Sequence, residues 1–423
     1  MFRNEIKRYI EDAMRENYKE AEAVECSLTV PEIPDHGDFA TNAALIIGKK
    51  LKKNPMEVAS VLAESLRAHK ELKSVAVVAP GFINFILNDS ALLQELGEVL
   101  ENQNAWGTSA VGNGKTVMVE YFQLNIAKRP HVGHLRSAVI GDAIKRILLS
   151  QGYAAVSDTH VGDWGTQFGI LLYAYKEADE ATKKKIEDDP FHELEMLYQD
   201  VQKREGIIEL GKKEFARLEQ GDEENRKIWE WMVAISMKKL EESARRLQLL
   251  PFDEHKGESA YEKMMPALVE KALQKGVAKR TEDGAVIVDL THEALDEAIL
   301  IKSDGASTYL LRDLATIQYR KEHWRFWKNL YVVDVRQSHH FKQLFRVAEL
   351  LGFEGAEESE HIEYGFMKLP EGIISTRKGV TVSLEAVLDE ATDRAHAVIQ
   401  EKNPELKNAD RVAEMVGLAA IKY

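Results

Sequence analysis

The sequence predicts an α/β protein in which a parallel sheet is interrupted by a helical insertion and preceded by a smaller α/β module. Three observations carry this. A β-rich run, Thr116–Phe122, is followed by a loop, a long helical pattern over 132–150 and a second strand, Val156–Thr159. Strand–loop–helix–strand in that order favours parallel pairing. From Ala174 to about Gln248 the chain is strongly charged and helical in pattern, with no strand signal. The apolar run Leu330–Val335 then suits a buried strand, and Gln337 and His340 follow its carboxyl end, where open α/β sheets bind ligands.

In chain order, an opening helix over 2–20 places Ile6, Ile10 and Met14 on one face. Asn54 and Pro55 suit the cap and first position of a helix to about Arg67. Ser74–Ala79 and Phe82–Leu87 read as strands around the turn Pro80-Gly81, and Asn88-Asp89 opens a helix to about Asn102. Gly107 to Gly114 reads as a linker. The helix over 132–150 carries the stripe Leu135, Val139, Ile140, Ala143, Ile144, Ile147. Further strands are expected at Ala285–Leu290, Ile299–Ile301 and Ala306–Tyr309, resuming the sheet. Helices over 384–401 and 408–423 close the chain. The expected division is 1–108, 109–370 with an insertion over about 174–284, and 371–423.

Composition narrows the function. Of 423 residues, 44% are hydrophobic and 30% charged, which is ordinary for a folded globular chain. The formal charge of −14 argues against indiscriminate coating of nucleic acid, but not against a folded RNA that docks on local basic patches. A lone cysteine, Cys26, excludes an intramolecular disulfide and any zinc site needing two thiolates. No zinc and a reducing cytoplasm are therefore expected. No run approaches the length of a membrane span.

Two segments carry chemistry. Asn125-Ile-Ala-Lys-Arg-Pro-His131-Val-Gly-His134 leaves a strand and opens a helix. His131 and His134, three apart, can face one side of the first turn. Gly133 lets a planar ring approach the backbone, and the helix N-terminus offers N–H groups and partial positive charge to a phosphate. In the second segment, Pro370 to Gly379, Ser375, Thr376, Arg377 and Lys378 can close over a polyphosphate.

Together these segments resemble the two-part nucleotide site of class I aminoacyl-tRNA synthetases, and nearly the whole chain resembles the arginyl-tRNA synthetase family. The runs that carry the resemblance are Pro34-Asp-His-Gly-Asp-Phe-Ala-Thr-Asn-Ala-Ala, Pro80-Gly-Phe-Ile-Asn-Phe, the His131–His134 box, Val161-Gly-Asp-Trp-Gly-Thr-Gln-Phe-Gly169, Gly257-Glu-Ser, Tyr309-Leu-Leu-Arg-Asp313, His340-Phe and Ser375-Thr-Arg-Lys-Gly. The resemblance implies a Rossmann-like catalytic domain and an N-terminal accessory module that touches tRNA. Lys49, Lys50, Lys52 and Lys53 are its candidate RNA contacts. Arginine's planar, permanently charged guanidinium is best met by carboxylates. Asp313, Glu120 and Glu258 are the candidates, with Tyr309 beside the guanidinium plane. Asn125 and Gln337 match family positions for the substrate's α-amino and carboxylate groups. ATP would meet His131, Gly133, His134, His340 and the Ser375–Lys378 segment.

The chain departs from the family pattern at Gln123-Leu124, where Ser-Pro is usual, and at Arg336. Ile373 and Thr376 stand where the second segment usually has lysines. Lys128, just before the box, is expected to supply that charge. The implied reaction has two steps. The arginine carboxylate attacks the ATP α-phosphate, with magnesium assisting, and tRNA(Arg) then takes the arginyl group on its terminal ribose. Two other readings compete: a relative that activates a carboxylate without RNA, and a binding fragment without catalysis. A monomer with tRNA(Arg), L-arginine and ATP as partners and no membrane association is expected. The family's anticodon-reading helical domain would follow Tyr423. A chain without it is expected to charge tRNA poorly, and its last helix to expose Val412, Met415, Val416, Leu418, Ala419 and Ile421.

Overall fold

The computed structural model describes residues 2–21, 25–365, 368–369, 372–373 and 382–423. The chain divides into two compact units, Met1–Thr108 and Ser109–Tyr423, and residues beyond 371 belong to the second.

The first unit contains α1 (Phe2–Asn17), β1 (Leu28–Thr29), β2 (Phe39–Thr41), α2 (Ala43–Leu51), α3 (Pro55–Leu66), β3 (Leu72–Val78), β4 (Phe82–Leu87) and α4 (Asp89–Asn102). The sheet is antiparallel, in the order β1-β2-β4-β3. Ile6, Ile10 and Met14 are buried with Ile47, Leu62 and Phe85. Asn54 caps α3 by accepting from Met56 N at 2.9 Å, and Asn88 caps α4 through Ser90 N. The run Pro34–Ala44 is an internal clamp. Asp38 accepts from Leu87 N at 2.7 Å, and Gly37, at φ +94°, sits where a side chain would strike the Phe85 carbonyl. Lys49, Lys50, Lys52 and Lys53 are exposed at the end of α2. Lys52 is a left-handed cap, and the Lys53 ammonium lies 5.2 Å from the Tyr18 ring.

The second unit begins with β5 (Thr116–Glu120), α5 (Val132–Ser150) and β6 (Ala154–Asp158). The insertion follows: α6 (Thr166–Glu177), α7 (Glu180–Asp188), α8 (Pro190–Val201), α9 (Ile207–Glu219) and α10 (Glu223–Arg246). Gly169 and Gly211 bring α6 and α9 together, since a side chain on either would meet the other helix at 2.0–2.3 Å. Next come α11 (Met265–Gln274), β7 (Lys279–Arg280), β8 (Val286–Asp289), β9 (Glu297–Ile301), α12 (Tyr309–Trp324), β10 (Lys328–Asp334), α13 (Ser338–Leu350), β11 (Ser359–Tyr364), β12 (Lys368–Leu369), β13 (Gly372–Ile373), α14 (Leu384–Lys402) and α15 (Ala409–Lys422).

The parallel sheet runs β11-β10-β5-β6. Its order reverses between β5 and β10, the position at which such sheets open a ligand crevice. Three strand expectations need correction. β8 and β9 do not resume this sheet; with β7 they form a separate antiparallel one. Residues 306–309 are not a strand, since Ser307 makes one bridge to Ile301 and Tyr309 already begins α12. β11 was not foreseen, because Ser-Glu-His-Ile-Glu-Tyr has no apolar run; as an edge strand it is only partly covered.

The last helix also differs from expectation. α15 packs on α14, where a side chain at Gly417 would strike the backbone around Ala391. Ala413 is buried, and Leu418 and Ile421 pack against the core, while Met415 and Val416 are exposed.

Candidate active site

The loop between β5 and α5 is clamped from two sides. Gly162 N donates to Leu124 O at 2.9 Å and Ile126 N donates to Gly162 O at 3.2 Å. A side chain at Gly162 would strike the Asn125 amide. From the insertion, Ser236 on α10 accepts from Ala127 N at 2.9 Å. Ala127 sits at φ +58°, so Lys128 follows a left-handed step. Its ammonium lies 5.6 Å from the Tyr198 ring of α8.

His131 and His134 form a reciprocal cap on α5. His131 Nδ1 accepts from Gly133 N and His134 Nδ1 from His131 N, both at 3.1 Å, and the rings stack 3.9 Å apart. With both Nδ1 atoms accepting, the neutral rings carry their protons on Nε2 and can donate there. Burial lowers the His131 pKa to about 4, helped by the Lys128 charge. Burial and His131 hold His134 well below its ordinary value. Two expectations change here. The ring that crowds Gly133 is His131's own, 2.8 Å from where a Cβ would stand. The first amides of α5 are not free, because Val132 N donates to Val382 O at 2.9 Å and His134 N to His131 O. Val382 and Ser383, which follow the second expected nucleotide segment, thus meet the start of α5. Ser375, Thr376, Arg377 and Lys378 lie outside the described residues.

The carboxylates expected to receive a guanidinium already hold cations. Glu120, at the end of β5, is 4% exposed. One of its oxygens lies 2.6 Å from Arg320 and the other accepts from Gln123 at 3.1 Å. Arg320, wholly buried on α12, also pairs with Asp158 at 2.8 Å. Glu258 lies 3.5 Å from Arg312, and the Arg312 guanidinium lies 5.0 Å from the Tyr309 ring. Asp313 receives His340 Nε2 at 2.6 Å and His160 Nε2 at 3.5 Å, one on each oxygen. The structure therefore puts His340, expected at ATP, on Asp313. Glu258 and Asp163 explain two of the sequence runs. A side chain at Gly257 would strike the Asp163 carboxylate at 2.3 Å, and Ser259 donates to Asp163 through N and Oγ at 2.9 and 2.6 Å. Gly257-Glu-Ser is thereby latched to Val161-Gly-Asp.

Charge in this pocket follows its neighbours. Burial opposes a charge on His160, but Glu120 and Asp313 raise its pKa to about 9. His340 is raised by Asp313 against the same opposition from burial. Burial alone would raise Asp313, yet the two histidines hold it well below the carboxylate range. Glu258 moves the other way: burial lifts it to about 7 despite Arg312 and His160.

Asn125, Lys128, Glu258, Tyr309 and Arg312 line one cleft of about 1870 Å³, walled by α6, α8, α9, α11 and the start of α12. Tyr309 is 59% exposed in it. Gln337, the last residue before α13, is exposed. Arg320, Arg312, His160 and Gln123 were not foreseen as site residues. Among the described residues, no group of three or more His, Cys, Asp or Glu side chains is gathered to hold a metal.

Residues 95–423 match the family described as tRNA synthetases class I (R), catalytic domain, and residues 2–87 match the arginyl tRNA synthetase N-terminal domain. The chain belongs to the class I arginyl-tRNA synthetases. It is 37% identical over 425 residues to the arginine–tRNA ligase of Clostridioides difficile, covering 99% of this chain and 73% of that protein. It is 39% identical over 408 residues to that of Lactococcus lactis subsp. cremoris strain MG1363, covering 95% and 71%. The Thermus thermophilus arginyl-tRNA synthetase structure aligns with a TM-score of 0.72 at 25% identity, over 100% of this chain and 74% of that one. The Plasmodium falciparum enzyme shares the fold with the same TM-score at 22% identity, over 99% and 73%. As a family member the chain is an aminoacyl-tRNA synthetase with the activity class of an arginine–tRNA ligase. Among the described residues no helix is long and apolar enough to cross a membrane.

Proposed function

We propose that the His131 cap, Asp313 and the cleft lined by Asn125, Lys128, Glu258 and Tyr309 together form arginyl-adenylate from L-arginine and ATP and pass the arginyl group to the terminal ribose of tRNA(Arg). The observation that carries this reading is the neutral histidine pair, capped through Nδ1, at the carboxyl edge of the sheet beside Lys128. Nε2 protons on His131 and His134 meet charge as it grows on the attacked α-phosphate, and Gly133 keeps the two rings folded on the backbone. Lys128 supplies the cation that the second segment lacks at Ile373 and Thr376, with Ser375, Thr376, Arg377 and Lys378 toward the pyrophosphate. Asp313 anchors the guanidinium, with Tyr309 beside it. Glu258 lines the same cleft, and Glu120 sits behind it as a charge held by Arg320. Asn125 and Gln337 hold the α-amino and carboxylate groups, leaving one carboxylate oxygen free to attack. No side-chain nucleophile takes part; the chain positions the reactants and stabilises charge. Magnesium enters with the polyphosphate of ATP. Lys49, Lys50, Lys52 and Lys53 contact the tRNA backbone, the protein acts as a monomer, and it works in the cytoplasm.

Pyrophosphate exchange with arginine, ATP and tRNA(Arg) tests the reading. Asp313→Asn is expected to weaken arginine by about 1.5–3 kcal/mol through loss of a charge-assisted contact, with ATP unaffected. Equal arginine affinity by calorimetry would remove Asp313 from the site.

A further inference from the structure

Four basic groups face the pocket carboxylates: Arg320 on Glu120, Arg312 on Glu258, and His160 and His340 on Asp313. The substrate guanidinium would be a fifth, arriving on Asp313 where His160 and His340 already stand. The arginines cannot lose a proton in the working range, and the histidines can. His160 is the more enclosed of the two, with its side chain 10% exposed against 24% for His340, and its Asp313 contact is the longer. It follows the end of β6 at φ +41°, a left-handed conformation rare outside glycine. That places its ring against Asp313 and 5.9 Å from the Tyr261 ring, and its Nδ1 is buried without a hydrogen-bond partner.

We propose that His160 holds the place of the substrate guanidinium on Asp313 before arginine binds, and that L-arginine binding releases the His160 proton. This rests on the reading of Asp313 as the guanidinium anchor. The groups that face or act on His160 come from every packed element. They are Glu120 from β5, Asp158 at the end of β6, Asp163 from the loop that follows, and Tyr261 from the short helical segment Glu258–Met264. Glu258 opens the short helical segment before α11, Asp313 and Arg320 stand on α12, and His340 on α13. The acidic groups favour the histidine charge, Arg320 and His340 oppose it, and an arriving guanidinium adds to that opposition. His160 acts through Asp313 and is a positioning residue.

The test is calorimetry of L-arginine binding to the full chain at about pH 8, in two buffers of different ionisation enthalpy. Between the Glu258 value of about 7 and the His160 value of about 9, the expected outcome is release of about one proton per arginine, with affinity rising up to about tenfold per pH unit. His160→Gln should still bind arginine, but with no proton release and a flat pH profile. His340→Gln should keep the release. Wild-type binding without proton release overturns the proposal, as does release that persists in His160→Gln. An Asp313→Asn variant separates the two levels. If it binds arginine normally, the anchor reading falls and this proposal with it. If it loses arginine while the wild type shows no release, only the proposal falls.

Discussion

Two pairs of histidines stand at the same sheet edge with their pKa values displaced in opposite directions. His131 and His134 meet backbone N–H groups, each other and Lys128, with no carboxylate among the groups that shift them, so burial keeps them neutral. His160 and His340 are as enclosed but share Asp313, which raises both against burial, His160 to about 9. Burial acts in the same direction on all four, and the nearest ionised group decides the outcome. A neutral ring suits donation to a phosphate oxygen that is gaining charge, whereas a charged one suits balancing a carboxylate until a substrate cation arrives.

The largest expected effect lies behind the charged pair. Arg320→Met would leave Glu120 and Asp158 buried without their shared cation, at a cost of about 3–5 kcal/mol of stability. Chemical denaturation followed by tryptophan fluorescence reads this directly, and an unshifted midpoint would mean the carboxylates find another partner. On the neutral side, His134→Ala is expected to slow single-turnover adenylate formation by about 100–1000-fold, with ATP binding little changed. Loss of affinity at a constant rate would make His134 a nucleotide ligand only.

The comparison is sharpest in the pH dependence of stability. The neutral pair has folded pKa values below the ordinary 6.5, so its contribution is complete above about 6.5. It is lost as pH falls, for His131 through about 4. For His160 the sign is reversed: its contribution is complete below about 6.5 and is lost as pH rises through about 9. Stability should therefore fall on both sides, by at most about 1.4 kcal/mol per pH unit for each histidine. His131→Gln should flatten only the acid limb and His160→Gln only the alkaline one; a variant that flattens the other limb breaks the assignment. The smallest effect concerns the departure from the family pattern. Gln123→Ala removes one hydrogen bond to Glu120 and is expected to cost about 1 kcal/mol, read as a several-fold rise in the arginine KM with the ATP KM unchanged.

Much of this was legible along the chain. Strand β5, helix α5 and the histidine box followed from apolar patterning and local spacing, because a cap and its helix lie within one turn. The glycines of Val161–Gly169 could be recognised as a motif. That Gly162 makes room for Asn125, and Gly169 for α9, could not be read, because those neighbours are far away in sequence or on another element. Residues 285–301 read as strands, but strand character does not say which sheet a strand joins, and β8 and β9 pair with β7 instead.

By itself the sequence determined the first strand–helix–strand unit, the helical insertion, the family and the chemical types of the candidate groups, all of which reside in local pattern and motif. Only the tertiary structure decided which of those groups are already engaged. Arg320 reaches Asp158 across 162 residues and His340 reaches Asp313 across 27. The charge of a histidine or carboxylate depends on such neighbours and on exclusion of water, and neither is written in the spacing of residues along one chain.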